Sequence, residues 1–148
     1  MKSKPEPGDL REHALRFLAR REHSRFELAR KLRLTGFAQH DIDVLLDEFE
    51  EKKWLSDRRF AESYVADHRT RAGNVKLAYD LRQRGVNDAI IESVLRENRD
   101  TELERAHQVW QKKFGSAPAD SAEKAQQIRF MQTRGFTLET IRIILTTD

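Results

Sequence analysis

The sequence predicts an all-α fold of three tandem three-helix repeats that form an elongated, curved helical array. Three glycines at nearly equal spacing, Gly36, Gly85 and Gly135, give the first indication. Each is followed by an apolar residue, and isoleucine recurs six positions after each glycine. Nowhere does the chain show the alternation of apolar and polar residues that indicates a β-strand. Self-similarity at a fixed period of this size is typical of helical repeat proteins.

Repeat 1 is predicted at residues 10–55, after a tail at residues 1–9. The tail contains two prolines and a glycine without apolar periodicity, and we expect it to be flexible. The first helix of the repeat is predicted from about Leu10 to Arg21. The buried stripe of that helix consists of Ala14, Leu15 and Leu18.

Capping signals delimit the second helix of repeat 1. Ser24 and Glu27 have the spacing of a capping box, in which each side chain bonds the backbone N–H of the other residue. Gly36 can end the helix because glycine adopts the left-handed conformation without Cβ strain. The third helix, from about residue 39 to residue 52, is the most clearly amphipathic one. Its inward positions are Ile42, Leu45, Leu46 and Phe49.

Repeat 2 is predicted at residues 56–99 and repeat 3 at residues 100–148. Ser56 and either Asn87 or Asp88 are expected to be N-caps in repeat 2, and Gly73 is expected to break the chain before the second helix. The inward positions of the two first helices are Phe60, Ala61, Tyr64 and Val65 in repeat 2 and Leu103, Ala106, Val109 and Trp110 in repeat 3. We also expect Trp54 to be a core residue that seals the first junction.

The composition narrows the possible functions. Hydrophobic residues make up 38% of the chain and charged residues 36%, with a formal net charge of +3. The absence of cysteine excludes disulfides, thiolate catalysis and cysteine-based zinc sites. No apolar run reaches the ~20 residues that span a membrane, and the N-terminus has no signal-peptide pattern. We therefore expect a cytoplasmic protein that does not bind membranes.

No pattern of catalytic side chains is present. The five histidines lie far apart in the sequence and are expected at the surface rather than in a metal site. The six acidic residues between positions 41 and 51 share a helix with inward-facing Ile42 and Leu46, so most of them must face solvent. There is no nucleophile elbow and no glycine-rich phosphate loop. We therefore predict no catalytic residue, no metal and no cofactor.

Charge is distributed unevenly along the chain. Residues 11–33 hold eight Arg or Lys and three Glu, and residues 69–84 hold five basic residues and one Asp. Residues 41–51 hold six acidic residues, whereas residues 100–148 hold seven of each sign. This segregation predicts a basic surface for DNA phosphates or for an acidic protein. Its candidate residues are Arg16, Arg20, Arg21, Arg25, Arg30, Lys31, Arg33, Arg69, Arg71, Lys76, Arg82 and Arg84.

Three-helix units can also be helix-turn-helix readers of DNA. In that geometry the helix after each glycine turn would enter the major groove. In repeat 1 this helix carries the six acidic residues, which phosphates would repel, and in the other repeats it carries few basic ones. We therefore expect no base readout by these helices. An extended array that lies along its partner fits three stacked units better.

Several stretches of the chain resemble the RecX family of bacterial recombinase regulators. They are A-L-R-F-L-A-R-R-E-H-S-R-F-E-L-A-R-K-L from Ala14 to Leu32, W-L-S-D-R-R-F-A-E-S-Y-V from Trp54 to Val65, and K-K-F-G with Pro118 followed by I-R-F-M-Q-T-R-G-F from Ile128 to Phe136. The likeness covers residues 10–147 in order. Each piece is a weak signal by itself, whereas the combination is specific.

The resemblance implies three tandem three-helix repeats and a partner, the ATP-bound RecA filament on single-stranded DNA. Proteins similar to this one lie in the filament groove, bridge neighbouring RecA protomers and lower the ATPase, strand-exchange and co-protease activities of RecA. DNA contact would be direct or through RecA, and we expect a monomer. Two alternatives stay open: a free-standing, sequence-nonspecific DNA-binding protein, and an adaptor for another acidic protein.

Overall fold

The computed structural model of the chain describes residues 7–97 and 101–146. These residues form nine α-helices and no β-strand, which confirms the predicted all-α architecture. The helices are α1 (Pro7–Arg20), α2 (Arg25–Thr35), α3 (Gln39–Glu51), α4 (Asp57–His68), α5 (Asn74–Gln83), α6 (Asp88–Arg96), α7 (Glu102–Lys113), α8 (Ser121–Thr133) and α9 (Leu138–Thr146). Helix α1 begins three positions before the predicted start. The rest of the predicted tail, residues 1–6, lies outside the described residues.

The nine helices form three triplets, each with its own core. Helices α1–α3, α4–α6 and α7–α9 make their extensive contacts within the triplet. In the first core Leu28, Ile42 and Phe49 are fully buried, and Leu77 and Ile141 are fully buried in the second and third. Burial of one such side chain contributes about 2 kcal/mol. Each repeat is therefore a small hydrophobic unit in its own right.

The predicted capping residues are confirmed. The backbone N–H of Glu27 donates to Ser24 Oγ at 3.1 Å, and the Ser24 N–H donates to Glu27 Oε1 at 3.2 Å, so the capping box is complete. Of the two candidates in repeat 2, Asn87 is the cap, since its Oδ1 accepts from the N–H of Ile90 at 2.9 Å. Gly36 ends α2 in the left-handed region with φ 111°.

Four burial predictions were wrong. Leu15 is exposed because it points about 100° away from Ala14, which with Leu10 forms the inner stripe of α1. Leu103 is exposed as well, and Arg105 occupies the buried position on that part of α7. Trp54 lies on the rim, where its ring packs 5.5 Å from that of Phe49.

His23 is the fourth correction, because it is buried rather than at the surface. It stands between α1 and α2, directly before the Ser24 cap. The chain must turn sharply there, which brings the imidazole to within 6.0 Å of the Phe17 ring. A histidine in a short connection between two packed helices is thus enclosed by them.

The second helices of the repeats follow one another head to tail. Ser24, the N-cap of α2, lies on the turn after α5, and its Oγ donates to the carbonyl oxygen of Arg84 at 2.6 Å. Gly73, the N-cap of α5, lies on the turn after α8, and its N–H donates to the carbonyl oxygen of Arg134 at 2.8 Å. The positive end of one helix dipole therefore meets the negative end of the next. This arrangement brings the basic residues of α2 close to those at the end of α5.

Candidate basic interface

A groove that is both basic and apolar lies between α2 and the end of α5. Phe26 and Leu34 are 49% and 78% exposed, on the side of α2 opposite to the buried Leu28 and Leu32. Exposed apolar side chains among cations are typical of a protein-binding surface. The groove encloses about 490 Å³ and is lined by Phe26, Glu27, Arg30, Lys31, Leu34, Gln83 and Arg84.

Lys31 is held in place at this groove by His23. The Nδ1 of His23 lies 3.0 Å from the carbonyl oxygen of Arg21 and must donate to it, because a carbonyl oxygen only accepts. The Nε2 atom of the neutral imidazole then accepts from Lys31 Nζ at 2.8 Å. The same Nζ lies 5.0 Å from the centre of the Phe17 ring. The position of the lysine charge is thus fixed by a neutral histidine.

The pKa values of both groups are lowered. Burial is the largest cause of the lowered pKa of His23, and the positive charges of Arg21 and Lys31 act in the same direction. Burial also lowers the pKa of Lys31, followed by the charge of Arg21. Protonation of His23 would place a second N–H against the lysine ammonium. The neutral imidazole is therefore the form that this arrangement requires.

Arg84 is fixed on the other side of the groove. Its guanidinium lies 4.7 Å from the centre of the Tyr64 ring, and Nη1 donates to the carbonyl oxygen of Asp80 at 3.0 Å. The Tyr64 hydroxyl donates to Asp80 Oδ2 at 3.0 Å. Burial, together with that hydrogen bond, raises the pKa of Tyr64. The tyrosine is therefore a neutral platform that orients the arginine.

Several of the predicted interface residues bind side chains of the protein itself. The Nη1 of Arg25 lies 2.7 Å from Asp47 Oδ1 and 2.9 Å from Glu50 Oε1, both on α3. The first two repeats hold the pairs Arg21–Glu27, Lys76–Asp80 and Arg82–Asp88, and Arg33 donates to Gln39. The cations that pair with a carboxylate attract an external anion less strongly because that partner already neutralises them, whereas Arg33 keeps its charge beside the uncharged amide of Gln39.

The acidic helix α3 is closer to the basic residues than their separation in sequence suggests. Besides the contacts of Arg25, Arg11 of α1 forms an ion pair with Glu48 of α3. The packing of α3 beside α1 and α2 places opposite charges on adjoining surfaces. Part of the positive charge of residues 11–33 is therefore used within repeat 1.

The remaining predicted cations are available to a partner. They are exposed, and none forms an ion pair with a carboxylate of residues 7–97 or 101–146. Three belong to repeat 1 and two to the end of α4 and the loop after it. They are Arg16, Arg20, Arg30, Arg69 and Arg71.

Sequence reasoning missed the apolar part of the groove and the basic residues of repeat 3. Phe26 and Leu34 stand four positions on either side of Arg30, on the polar face of α2, and that spacing could have revealed them. Lys112, Lys113 and Arg134 were passed over because charge in repeat 3 is balanced overall.

The described residues offer no arrangement for metal chemistry. Within them no group of three or more His, Asp or Glu side chains is placed to hold a metal ion. None of the helices in the same part of the chain has both the length and the apolar character needed to cross a bilayer.

Family models for the three-helix domains of RecX match the chain in order. The first domain matches residues 11–49, the second residues 56–95 and the third residues 100–145. The chain belongs to the RecX family. The family assignment agrees with the resemblance seen in the sequence and with the three triplets of helices.

Individual RecX proteins are similar to the chain over nearly all of its length. The regulatory protein RecX of Ralstonia pickettii (strain 12J) is 41% identical over 144 residues, which are 97% of this chain and 91% of that protein. That of Pseudomonas savastanoi pv. phaseolicola (strain 1448A / Race 6) is 43% identical over 142 residues, with 94% and 91% covered. The crystal structure of RecX from Lactobacillus salivarius superposes with a TM-score of 0.82 at 21% identity, covering 94% of both chains. This last likeness supports the fold.

Proposed function

We propose that this protein is a regulator of the RecA recombinase. It binds in the groove of the RecA filament on single-stranded DNA and lowers the ATPase, strand-exchange and co-protease activities of RecA. It thereby modulates recombination, DNA repair and the SOS response in the cytoplasm, as a monomer without a cofactor. The related proteins that carry the name regulatory protein RecX support this proposal.

The groove between α2 and the end of α5 is the observation that carries the proposal. It offers exposed Phe26 and Leu34 to apolar surface and Arg30, Lys31 and Arg84 to carboxylates or phosphates. A polar rim around an apolar centre is the usual composition of a transient protein interface. Such a surface fits a filament of protein and nucleic acid better than it fits a small substrate.

Regulation by binding needs no catalytic group. A protein that bridges neighbouring subunits shifts the equilibrium of a filament through different affinities for its states. We expect the head-to-tail alignment of α2, α5 and α8 to let the chain touch more than one subunit. Different patches on different repeats can then act together through effective concentration.

Reversal of two unpaired cations beside the groove tests the proposal. We expect Arg20→Glu with Arg30→Glu to weaken inhibition of RecA ATPase on single-stranded DNA about tenfold, because two attractive contacts become repulsive. Neither side chain pairs with a carboxylate of the described residues, so the fold measured by circular dichroism should be unchanged. The measurement is the protein concentration that halves the ATPase rate.

A control variant with the same change in net charge tests whether the weaker inhibition comes from this interface or from net charge alone. Arg129→Glu with Arg142→Glu changes the charge equally at two exposed positions on α8 and α9, away from the groove, where neither side chain forms an ion pair within the described residues. Equal inhibition by the original protein, the Arg20 and Arg30 variant and this control variant would refute the proposed interface. Binding to DNA alone, without recruitment to RecA filaments held by a non-hydrolysable ATP analogue, would assign the free-standing DNA-binding alternative instead.

A further inference from the structure

A second cationic surface lies where repeat 2 meets repeat 3. Its residues come from the loop after α4, from α7 and from the end of α8, and they enclose about 370 Å³. No acidic residue belongs to the lining. The lining residues are Thr70, Arg71, Val109, Lys112, Lys113, Phe130 and Arg134. We call this surface the repeat 2/3 pocket.

The four cations of the pocket are not neutralised by the neighbouring protein surface. None forms an ion pair with a carboxylate in the two described stretches of the chain. This differs from Arg25 in repeat 1, which contacts Asp47 and Glu50. Four like charges around one cavity repel one another, and a bound anion relieves that repulsion.

The fold holds the pocket in its open, charged form. Arg105, only 6% exposed, donates from Nη1 to the carbonyl oxygens of Arg69 and Ala72 at 2.7 and 2.8 Å. Its Nη2 donates to Asn74 Oδ1 at 3.1 Å. The loop that carries Arg71 is thereby fastened to α7, which carries Lys112 and Lys113. Binding therefore requires little ordering of the backbone.

Phe130 orders two of the charged side chains. Lys113 Nζ lies 5.3 Å from the centre of its ring, and the guanidinium carbon of Arg134 lies 5.1 Å from it. Phe114 packs edge-on against the same ring, at 5.3 Å between centroids. The ring is half-buried among the cations. An aromatic ring within a basic groove is the usual composition of a single-stranded nucleic-acid site.

We propose that the repeat 2/3 pocket binds the backbone phosphates of single-stranded nucleic acid. The forked guanidinium groups of Arg71 and Arg134 suit phosphate oxygens, and the two lysines add point charges. Val109 and Phe130 can contact an unpaired base or its sugar, which a stacked duplex keeps out of reach. The combination favours nucleic acid over an acidic peptide, which offers no planar base to the ring.

The test is titration of a fluorescent oligodeoxythymidylate with the full chain. Arg71→Gln with Lys113→Gln removes two of the four charges. We expect about tenfold weaker binding, and a salt dependence of log K that is shallower by about 0.7 for each phosphate that the variant no longer neutralises. Circular dichroism and thermal melting show whether the variant retains its fold.

Lys124→Gln with Arg142→Gln is the matched control. It removes the same charge from exposed positions in repeat 3 that do not line the pocket. Weaker binding in the pocket variant alone supports the proposal. An equal decrease in both variants, or no decrease in either, overturns it. The proposal is also overturned if oligoglutamate binds the original protein more tightly than it binds the pocket variant, while both proteins bind DNA with the same affinity.

This proposal stands or falls separately from the regulation of RecA. The titration contains no recombinase, and its variants leave Arg20 and Arg30 unchanged. The proposed DNA binding by the pocket can therefore be refuted while the proposed filament interface is supported, and the reverse result can be recognised equally well.

Discussion

The two junctions between repeats use the same geometry and different chemistry. At both junctions the N-terminus of one repeat's second helix meets the glycine turn of the next repeat. The first helix of that next repeat begins with an acidic residue, whose carboxylate caps the N-terminus of the second helix. Asp57 Oδ1 accepts from the N–H of Arg25 at 2.8 Å, and Glu102 Oε1 accepts from the N–H of Asn74 at 3.0 Å. Equivalent positions of the repeat therefore form the contact at both junctions.

How closely the two chain segments approach each other depends on the individual residue at each junction. At junction 1/2 the Ser24 hydroxyl spans the gap to the next turn. At junction 2/3 the equivalent residue is Gly73, which brings backbone directly against backbone, and the N–H of Val75 adds a bond to the carbonyl oxygen of Gly135 at 3.0 Å. The buried guanidinium of Arg105 reinforces only this second junction. Junction 2/3 should therefore be the more rigid one.

Alanine at the two junction glycines should give the largest difference. Gly85 and Gly135 both have positive φ, 81° and 88°. An added Cβ meets the Cβ and the ring of Phe26 at Gly85, and meets the Cβ, the Cα and the backbone nitrogen of Lys76 at Gly135. We expect Gly135→Ala to lower the free energy of unfolding by about 4 kcal/mol and Gly85→Ala by about 2 kcal/mol, because all three clashing atoms of Lys76 are fixed by the backbone, whereas at Gly85 the Phe26 ring can rotate and only its Cβ is fixed. Urea unfolding measures both, and equal decreases would contradict the comparison.

Removal of Arg105 should have the next largest effect. Arg105→Met leaves the carbonyl oxygens of Arg69 and Ala72 without their donor, and we expect a decrease of about 3 kcal/mol in the free energy of unfolding. The amide of Gly73 should also exchange its hydrogen faster. Arg59, which pairs with Glu22 at junction 1/2, is the control, and Arg59→Met should cost under about 1 kcal/mol because that pair is partly exposed. The comparison is wrong if the Arg59 variant is destabilised as much as the Arg105 variant.

The free energy of unfolding should depend on pH through His23, which lies beside junction 1/2. This is the smallest of the three expected effects. The groups facing its imidazole are Arg21, Lys31, Glu27 and the Phe17 ring. Its folded pKa lies below the ordinary 6.5, so the unfolded chain binds more protons between the two values. The stabilisation is complete above 6.5 and is lost as pH falls through the folded pKa, by at most about 1.4 kcal/mol per pH unit.

Measurement of unfolding free energy against pH checks this sign. His23→Gln should flatten the acid side of the curve. His107→Gln, at an exposed position in repeat 3, is the control for the loss of one histidine. If the curve of the His23 variant keeps the slope of the original protein, the histidine is not the responsible group.

Sequence patterns predicted the features that depend on near neighbours along the chain. The capping box of Ser24 and Glu27, the N-cap at Ser56 and the left-handed glycine at position 36 all follow from bonds spanning a few residues. The candidate site was predicted less completely. Arg30 and Lys31 do line the groove, but the ion pairs of Arg25 depend on the packing of α3 beside α2.

The sequence by itself determined the repeated three-helix unit, because helix periodicity and capping are local and recur at a fixed spacing. Tertiary structure alone decided which charges remain available. Arg25 is neutralised by residues more than twenty positions away, whereas Arg71 and Arg134, far apart in the chain, come to line one pocket. Electrostatic attraction depends on distance in space, and the spatial neighbours of a side chain are set by how the helices pack.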